Sequence, residues 1–347
     1  MQQKNVYWLK DLGKEYNDVV GKKSANLGEM TKVEGIRVPP GFAISIAAYE
    51  SFARETGLHQ EIENYLKHSL NQRVGLADFQ KLQQVSNGIR NIVESKEVIA
   101  YLKQDIASYY KSLCEKCEST DIAVSVRSAG AKSHPGQYET YLNVTGCDDV
   151  LDKILRVWSS IYNTTSISAA LRQAIPIENC PPLGVCVLKM VNAKAAGVCL
   201  TVHPITGDDT EAMVESNWGL GESVVSGAVT PDKFIVDKIK MTIKESITGK
   251  KEKQMVMKER GTVVEEFCPD GPNELSLTEK EVISIVQFAK SLEKHFGIPQ
   301  DIEWAIDMDS PSSRNIFILQ ARPQGSIPQK KSITDQIADM MIRRHRT

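Results

Sequence analysis

The stretch that decides the fold runs from Asp301 to Pro323 and reads DIEWAIDMDSPSSRNIFILQARP. Two runs with alternating apolar residues flank a polar loop that contains proline, and this pattern predicts a β-hairpin. In the first strand, alternation gives one face Ile302, Trp304 and Ile306, and the other face Glu303, Ala305 and Asp307. In the second strand, one face is expected to hold Ile316, Ile318, Gln320 and Arg322.

Polar groups of the two strands are expected to meet on one small patch. If Asp307 pairs with Ile316, the antiparallel register places Glu303 opposite Gln320, with Arg322 diagonal to Glu303. Mg²⁺ prefers oxygen ligands and keeps phosphate oxygens in its shell, and arginine suits bidentate phosphate contact. The hairpin therefore predicts a metal–nucleotide site. The alternative is an amphipathic hairpin with one wet face, since alternation alone is only a strand signal.

Bulk properties place the chain in a broad class. Its 347 residues exceed one ordinary domain core, which predicts two or three subdomains. A net charge of −2 gives no reason to expect nucleic acid or an anionic membrane surface as a partner, and no apolar run approaches the ~20 residues of a membrane helix. Seven cysteines without a signal-peptide core predict reduced thiols and a cytoplasmic protein.

The N-terminal half combines one lysine-rich turn with helices. After Gly21, Lys22 and Lys23 open a helix-like segment that can present amides and an ammonium group to a phosphate, although the second P-loop glycine is missing. A surface turn with solvated lysines is the alternative. Ser45 is expected to cap a short helix, and residues 61–117 show helical periodicity with core-facing stripes.

A loop of small residues follows the next predicted strand, which is expected to end at Arg127. The loop contains Gly130 and Gly136, and an alternating run from Thr140 follows it. Arginine beside such a loop suits a polyphosphate, and a hairpin with a long loop is the alternative. One helix is expected near Asp149–Gln173.

The second half reads as a sheet-rich subdomain of short strands, beginning with Val185–Val191. The glycine-rich loop Asn217–Gly227 lacks the third glycine of a dinucleotide fingerprint, so a Rossmann fold is excluded. Thr278 and Glu281 form a predicted capping box at the start of the last long helix.

Taken in order, these stretches resemble the ATP-binding domain of the pyruvate phosphate dikinase and phosphoenolpyruvate synthase family. The resemblance spans about residues 5–323 and rests on these motifs in order: GKKxAxLGEM, PPGF, VRS, PGxxxTxLN, KMV, GLGExVVxGxVxPD, DIEWA and LQARP. It implies an α+β, ATP-grasp-like fold with the ATP cleft between a helical or mixed N-terminal subdomain and a sheet-rich C-terminal one. The expected divisions are residues 1–182, 183–323 and a polar tail or docking segment, 324–347.

The resemblance also implies site residues, each carried over by its motif. Lys23 and Arg127 match phosphate-binding residues, and Gly136 and Thr140 match the loop that closes over the phosphates. The expected adenine-facing hinge strand is Lys189, Met190 and Val191. Glu303 and Gln320 match the Mg²⁺-facing pair, followed by Arg322. Lys23, Arg127 and Arg322 are therefore the expected catalytic residues, with Mg²⁺ as cofactor and ATP as substrate.

The sequence also departs from the family. Leu188 stands where a glutamine is common, and His134 occupies a position that is usually apolar. The loop before Gly136 is short, as in pyruvate phosphate dikinase, and lacks the acidic insertion of phosphoenolpyruvate synthases. None of the six histidines lies in a sequence like the family's phosphorylated-histidine motif. We therefore expect a free-standing nucleotide subunit, resembling that of phenylphosphate synthase, whose partner subunit carries that histidine and the acceptor site.

The resemblance implies AMP and phosphate as products, with an acceptor such as phenol or pyruvate phosphorylated downstream. Full turnover is expected to need the partner. Three alternatives remain open: a non-catalytic nucleotide-sensing module, an ATP-binding fragment of a phosphoenolpyruvate synthase, and a rifampin-type phosphotransferase.

Overall fold

The structure, a computed structural model, describes residues 4–69, 79–131, 138–266, 273–312 and 314–325. The chain divides into two compact units, one of Met1–Val191 with Met257–Val263 and the other of Asn192–Val256 with Val264–Thr347. Helices and strands are mixed along the chain, which confirms the predicted α+β content. The ATP-grasp assignment and the functional subdomain boundaries stay predictions. Within the described ranges, no helix combines the length and the apolar character that crossing a membrane requires.

A five-stranded antiparallel sheet forms the centre of the first unit. Its strands are β1 (Val6–Trp8), β2 (Gly41–Ile44), β3 (Val124–Ala129), β4 (Thr140–Val144) and β5 (Gly184–Lys189). The order across the sheet is β1-β2-β5-β3-β4, with antiparallel neighbours throughout. The sequence pattern predicts β5 as the first strand of the sheet-rich second half. It lies instead at the centre of this sheet, where residues 184–188 are all buried.

Most helices of the first unit pack into one apolar core with the sheet. The helices that contribute to this core are α3 (Ile46–Glu55), α4 (Leu58–Ser69), α5 (Phe79–Glu94), α6 (Ala100–Lys116), α7 (Cys147–Ser159) and α8 (Thr164–Arg172). Helices α1 (Asn17–Val20) and α2 (Lys22–Met30) precede them in the chain. Ser45 caps α3 as predicted, since its hydroxyl accepts the N–H of Ala48. The single helix expected near Asp149–Gln173 is wrong, because Asn163 leaves the helical conformation and its side chain caps α8.

A six-stranded antiparallel sheet forms the centre of the second unit, in the order β13-β12-β6-β7-β8-β9. Its strands are β6 (Ala193–Leu200), β7 (Glu211–Trp218), β8 (Asp232–Asp237), β9 (Thr242–Ile247), β12 (Gln300–Asp307) and β13 (Ile316–Pro323). Between β7 and β8 lies the short helix α9 (Glu222–Val225). The later strands β10 (Lys253–Met257) and β11 (Thr262–Glu266) form a two-stranded sheet, of which residues 257–263 are assigned to the first unit. The last helix, α10 (Glu279–Phe296), packs on the larger sheet.

A buried ion pair joins three segments of the second unit. Lys251 and Asp232 are both fully buried and form a salt bridge. The carboxylate of Asp232 also accepts the N–H of Gly249 at 2.8 Å and, at 2.7 Å each, the N–H and hydroxyl of Ser276. A buried charge is tolerated only when it is paired and hydrogen-bonded, so this carboxylate fixes the chain before β10 and before α10.

The described cysteines carry free thiols. Two of them, Cys186 on β5 and Cys199 on β6, are fully buried in the central part of their sheets. Cys114 and Cys117 lie at the end of α6, where Cys114 is buried and Cys117 is half-buried.

The capping box of α10 predicts a pH-dependent contribution to stability. Burial opposes ionisation of Glu281, but hydrogen bonds from Thr278 and Lys194 outweigh it and hold the pKa of Glu281 below its ordinary value. The contribution of the carboxylate is therefore present above the ordinary pKa and is lost as the pH falls through the lowered value. We expect Glu281→Gln to lower the free energy of unfolding by about 1 kcal/mol at neutral pH.

Urea unfolding of both proteins at neutral pH and at decreasing acid pH checks this expectation. The difference between wild type and Glu281→Gln should shrink as the pH falls. Glu279→Gln is the matched control, because Glu279 is an exposed carboxylate in the same helical turn. A difference that persists unchanged at acid pH would contradict the assigned role of the carboxylate.

Candidate functional site

The first set of candidate residues lies on one face of the five-stranded sheet. Arg127 pairs with Cys186 on β5 and with Thr140 on β4. Because residues opposite one another in a ladder point to the same face, the three side chains lie side by side. Arg127 is an interior residue of β3, which continues to Ala129, so the expected strand end at Arg127 is wrong by two residues.

Lys23 reaches the same region from the first turn of α2. Burial raises the pKa of the Cys186 thiol to about 11, and the positive charges of Arg127 and Lys23 oppose that rise. Both cations therefore lie close enough to Cys186 to interact with it. The hydroxyl of Ser24, the next residue of α2, faces the same thiol. Lys23 and Arg127, together with the hydroxyl of Thr140 on β4, form a surface that suits an anion.

The backbone before Lys23 is fixed by a close approach to β3. Gly21 has φ +80° and ψ 152°, and the N–H of Lys22 donates to the carbonyl of Gly130 at 2.9 Å. A Cβ atom at Gly21 would lie only 2.0 Å from the carbonyl oxygen of Ala129. Glycine is therefore required at this position for both its conformation and its size.

The predicted hinge begins at the end of β5. The N–H of Lys189 donates to Pro40 and that of Met190 donates to Ala123, both at 2.9 Å, and Val191 is buried. These two amide donors are therefore used within the first unit. The contact of Lys189, Met190 and Val191 with adenine stays a prediction. Gly136, like His134, lies outside the described residues.

The second set lies on β12 and β13, where Glu303 pairs with Gln320 as predicted. The pairing of Asp307 with Ile316, from which that register was expected, is wrong by one residue, since Ile306 pairs with Ile316. A β-bulge between the two pairs corrects the difference, because Trp304 pairs with Ile318 and Leu319 is the additional residue of β13. Gln320 Nε2 then donates to Glu303 Oε1 at 3.0 Å.

The same bulge changes which residues of β13 share a face. Gln320 lies opposite Glu303, whereas Ile318 lies opposite Trp304, which is fully buried. Since Glu303 and Trp304 are consecutive strand residues on opposite faces, Ile318 and Gln320 also lie on opposite faces. The expectation that both share a face is therefore wrong, and the bulge is the physical reason.

Arg322 is held by a residue that the sequence analysis did not single out. Its Nε and Nη2 atoms lie 2.8 and 2.7 Å from Asp301 Oδ2, and the two residues are paired across β12 and β13. The signal was present in the sequence, because Asp301 and Glu303 alternate with Ile302. Asp301 fixes the direction of the guanidinium group and thereby orders this face.

The donor chemistry around Glu303 fits Mg²⁺ in part. A carboxylate and an amide in contact on adjacent strands supply oxygen donors of the kind that Mg²⁺ prefers. Within the described ranges, no group of three or more His, Cys, Asp or Glu side chains is placed to hold a metal. An ion at Glu303 would therefore need most of its shell from water or phosphate oxygens, which is the usual situation for Mg²⁺ with nucleotides.

Residues 17–341 match the family model described as pyruvate phosphate dikinase, AMP/ATP-binding domain. The chain belongs to this family. It is 36% identical to a probable phosphoenolpyruvate synthase of Staphylothermus marinus, over 92% of this chain and 41% of that protein. The phosphoenolpyruvate synthase of Pyrococcus furiosus is 33% identical over 93% of the chain and 44% of its own length. That of Aeropyrum pernix is 35% identical over 95% and 43%.

The family match confirms the resemblance derived from the ordered motifs. The chain spans less than half the length of these three relatives. Among solved structures, macrocyclase MdnC bound with precursor peptide MdnA, from Microcystis aeruginosa, covers 79% of this chain, and the chain covers 74% of MdnC. Its TM-score of 0.26 and 11% identity are too low to support a conclusion.

The close approach at Gly21 yields a prediction about the stability of the protein. Gly21→Ala should destabilise the protein by several kcal/mol, because the backbone conformation is strained for alanine and its Cβ would collide with the carbonyl of Ala129. Gly146→Ala is the matched control. Gly146 precedes α7 with φ +85° and ψ 143°, yet no atom lies within 4 Å of its would-be Cβ.

The control should therefore show only the conformational penalty of about 1–3 kcal/mol. Thermal unfolding of the two variants and the wild type measures the difference. Equal losses in Gly21→Ala and Gly146→Ala would show that contact with β3 does not hold the first turn of α2 in place.

Proposed function

We propose that the chain binds Mg·ATP and serves as the nucleotide-binding part of a dikinase-type phosphotransferase, passing phosphoryl groups to a histidine on a partner. The observation that carries the proposal is the match to an AMP/ATP-binding domain family over residues 17–341. The contacts of the candidate residues support it within each unit.

In the first unit, the phosphate chain would lie on the face formed by Arg127, Thr140 and Lys23. Two fixed cations neutralise phosphate charge, including the charge that develops as a phosphoryl group leaves. The sheet holds Arg127 between two strands, and Gly21 holds the first turn of α2. Little reorganisation would then be needed when the anion binds, which favours catalysis by preorganised charge. Gly136 would complete the phosphate loop.

In the second unit, Glu303 and Gln320 would hold Mg²⁺. When bound, the ion would supply positive charge to the phosphate oxygens. The hydrogen bond from Gln320 Nε2 to Glu303 Oε1 fixes both side chains, and rotation of the amide would offer its oxygen as a second ligand. Arg322 would act on phosphate from a guanidinium group that Asp301 orients.

The phosphoryl acceptor in this proposal is a histidine on a second subunit, with AMP and phosphate as products and phenol among the downstream acceptors. The described histidines have local roles. His59 and His68 contact the backbone carbonyls of Glu178 and Asn64, and His203 accepts backbone N–H groups of its own turn. His295 packs against the ring of Phe296. These contacts are typical of structural histidines and support an acceptor located elsewhere.

A second candidate follows from the similar proteins. Several are named phosphoenolpyruvate synthase, and this chain spans less than half their length. The chain would then be the ATP-binding part of such an enzyme, with pyruvate as the final acceptor. Both candidates share the nucleotide site and differ in what receives the phosphoryl group.

The nucleotide site predicts that the wild-type chain binds Mg·ATP and that Glu303→Gln weakens binding about tenfold or more, equivalent to about 1.4 kcal/mol. Glu303 is only partly buried, so its replacement should change the free energy of unfolding by no more than about 0.5 kcal/mol. Calorimetric titration with ATP and Mg²⁺, together with a thermal melt, measures both effects.

Glu245→Gln, at an exposed position of β9 in the same sheet, is the control and should bind as the wild type does. A folded wild-type protein that binds no nucleotide at millimolar ATP would contradict the proposed function. Normal binding by Glu303→Gln would contradict only the assignment of the metal ligand.

Phosphoryl transfer is predicted to require a partner. Incubation with radiolabelled ATP should label a co-purified partner, and the label should be lost in acid, as expected for phosphohistidine. Stable acid-labile label on this chain by itself, lost when one of its six histidines is replaced, would overturn the split between nucleotide site and acceptor. Adding phenol or pyruvate as the final acceptor distinguishes the two candidates.

A further inference from the structure

Asn143 adopts an unusual backbone conformation near the end of β4. Its φ is +53°, in the left-handed region, and its side chain is almost completely buried. Residues other than glycine seldom adopt this conformation, but asparagine is enriched there because its short amide can hydrogen-bond locally. The family match does not explain why a strand residue should be left-handed.

The left-handed residue coincides with a change of register between β3 and β4. Val124 pairs with Val144, and an uninterrupted ladder from this pair would place Tyr141 opposite Arg127. The observed partner of Arg127 is Thr140, and Tyr141 pairs with Val126. One additional residue of β4 is therefore accommodated next to Asn143, which is the arrangement of a β-bulge.

The amide of Asn143 holds this bulge in place. The Nδ2 atom donates to the carbonyls of Lys258 and Gly261, both at 2.6 Å. The backbone carbonyl of Asn143 accepts the N–H of Gly261 at 3.2 Å. Residues 257–263 belong to the same compact unit as β4. A donor with two hydrogens is required for this contact, and among short side chains asparagine alone combines it with tolerance of positive φ.

The register decides which side chain lies beside Arg127. Tyr141 packs against the apolar core on the other face, and its hydroxyl bonds to Glu139, which in turn forms a salt bridge with Arg90 at 2.6 Å. Thr140, between Glu139 and Tyr141, is thereby directed to the face of Arg127. A slip of one residue would exchange these positions, because adjacent strand residues point to opposite faces.

We propose that Asn143 is a positioning residue of the phosphate site: its left-handed backbone and its amide set the register that places the hydroxyl of Thr140 beside Arg127. This inference rests on the proposed function, since it gives Thr140 and Arg127 a shared ligand. The hydrogen bonds of the Asn143 amide go to the backbone carbonyls of Lys258 and Gly261. Asn143 acts through the ladder between β3 and β4.

Two replacements separate the backbone conformation from the amide. Asn143→Gly keeps access to positive φ but removes the side-chain hydrogen bonds to Lys258 and Gly261, so the bulge should persist but be less stable. Asn143→Val disfavours positive φ and removes the same hydrogen bonds. We expect Asn143→Val to weaken Mg·ATP binding about tenfold or more, because displaced binding groups lose most of their contact with the ligand. Asn143→Gly should fall between Asn143→Val and the wild type.

Asn163→Ala provides a control for lost stability. Asn163 caps α8 in the same unit, so its replacement should destabilise the protein while leaving β4 unchanged. Its dissociation constant for Mg·ATP should equal that of the wild type. Amide hydrogen exchange of peptides that cover 124–129 and 138–145 reports the register without nucleotide, and it should accelerate in Asn143→Val but not in Asn163→Ala.

The two readouts separate failure of this inference from failure of the proposed function. A folded wild-type protein that binds no Mg·ATP would contradict the proposed function, while the exchange measurement would still test the register. Wild-type affinity and wild-type exchange in Asn143→Val would overturn the role of Asn143. Equal loss of affinity in Asn143→Val and Asn163→Ala would also overturn it, because the effect would then follow stability alone.

Discussion

Strand register is the constraint on which both sets of candidate residues depend. A slip of one residue turns a side chain to the opposite face, so a carboxylate or a guanidinium reaches its partner only in one register. In each unit a β-bulge sets that register. The bulge at Leu319 brings Gln320 to Glu303, and the bulge at Asn143 brings Thr140 to Arg127. Both bulges lie within a few residues of the polar groups that they align.

Much of the fold was predictable because its signals are local. Alternation predicted β12 and β13, and the capping box predicted the start of α10. The bulges were not predictable, since one additional residue in a strand could not be recognised from the hydropathy pattern. The place of β5 in the first sheet depends on pairing with β2 and β3, which are distant in sequence. The family resemblance supplied the remaining site residues, since Lys23 in isolation resembles an ordinary surface lysine.

The two units contribute different charge to the proposed chemistry. The candidate face of the first unit carries the cations Lys23 and Arg127, whereas β12 of the second carries the carboxylates Asp301 and Glu303. Cations suit phosphate oxygens directly, and a carboxylate suits the metal ion that accompanies them. Arg322, on the neighbouring strand β13, is the exception, and its ion pair with Asp301 of β12 compensates its charge. The two units therefore differ in the charge that their candidate residues carry.

The fully buried thiols of Cys186 and Cys199 offer an internal probe of each sheet. Burial raises their pKa values to about 11 and about 12, so almost no thiolate is present at neutral pH. An alkylating reagent can modify either residue only when the surrounding strands separate. The rate of alkylation at each cysteine therefore reports the opening free energy of its own sheet. Mass spectrometry of the two tryptic peptides would resolve whether the sheets open together or one at a time, without any engineered label.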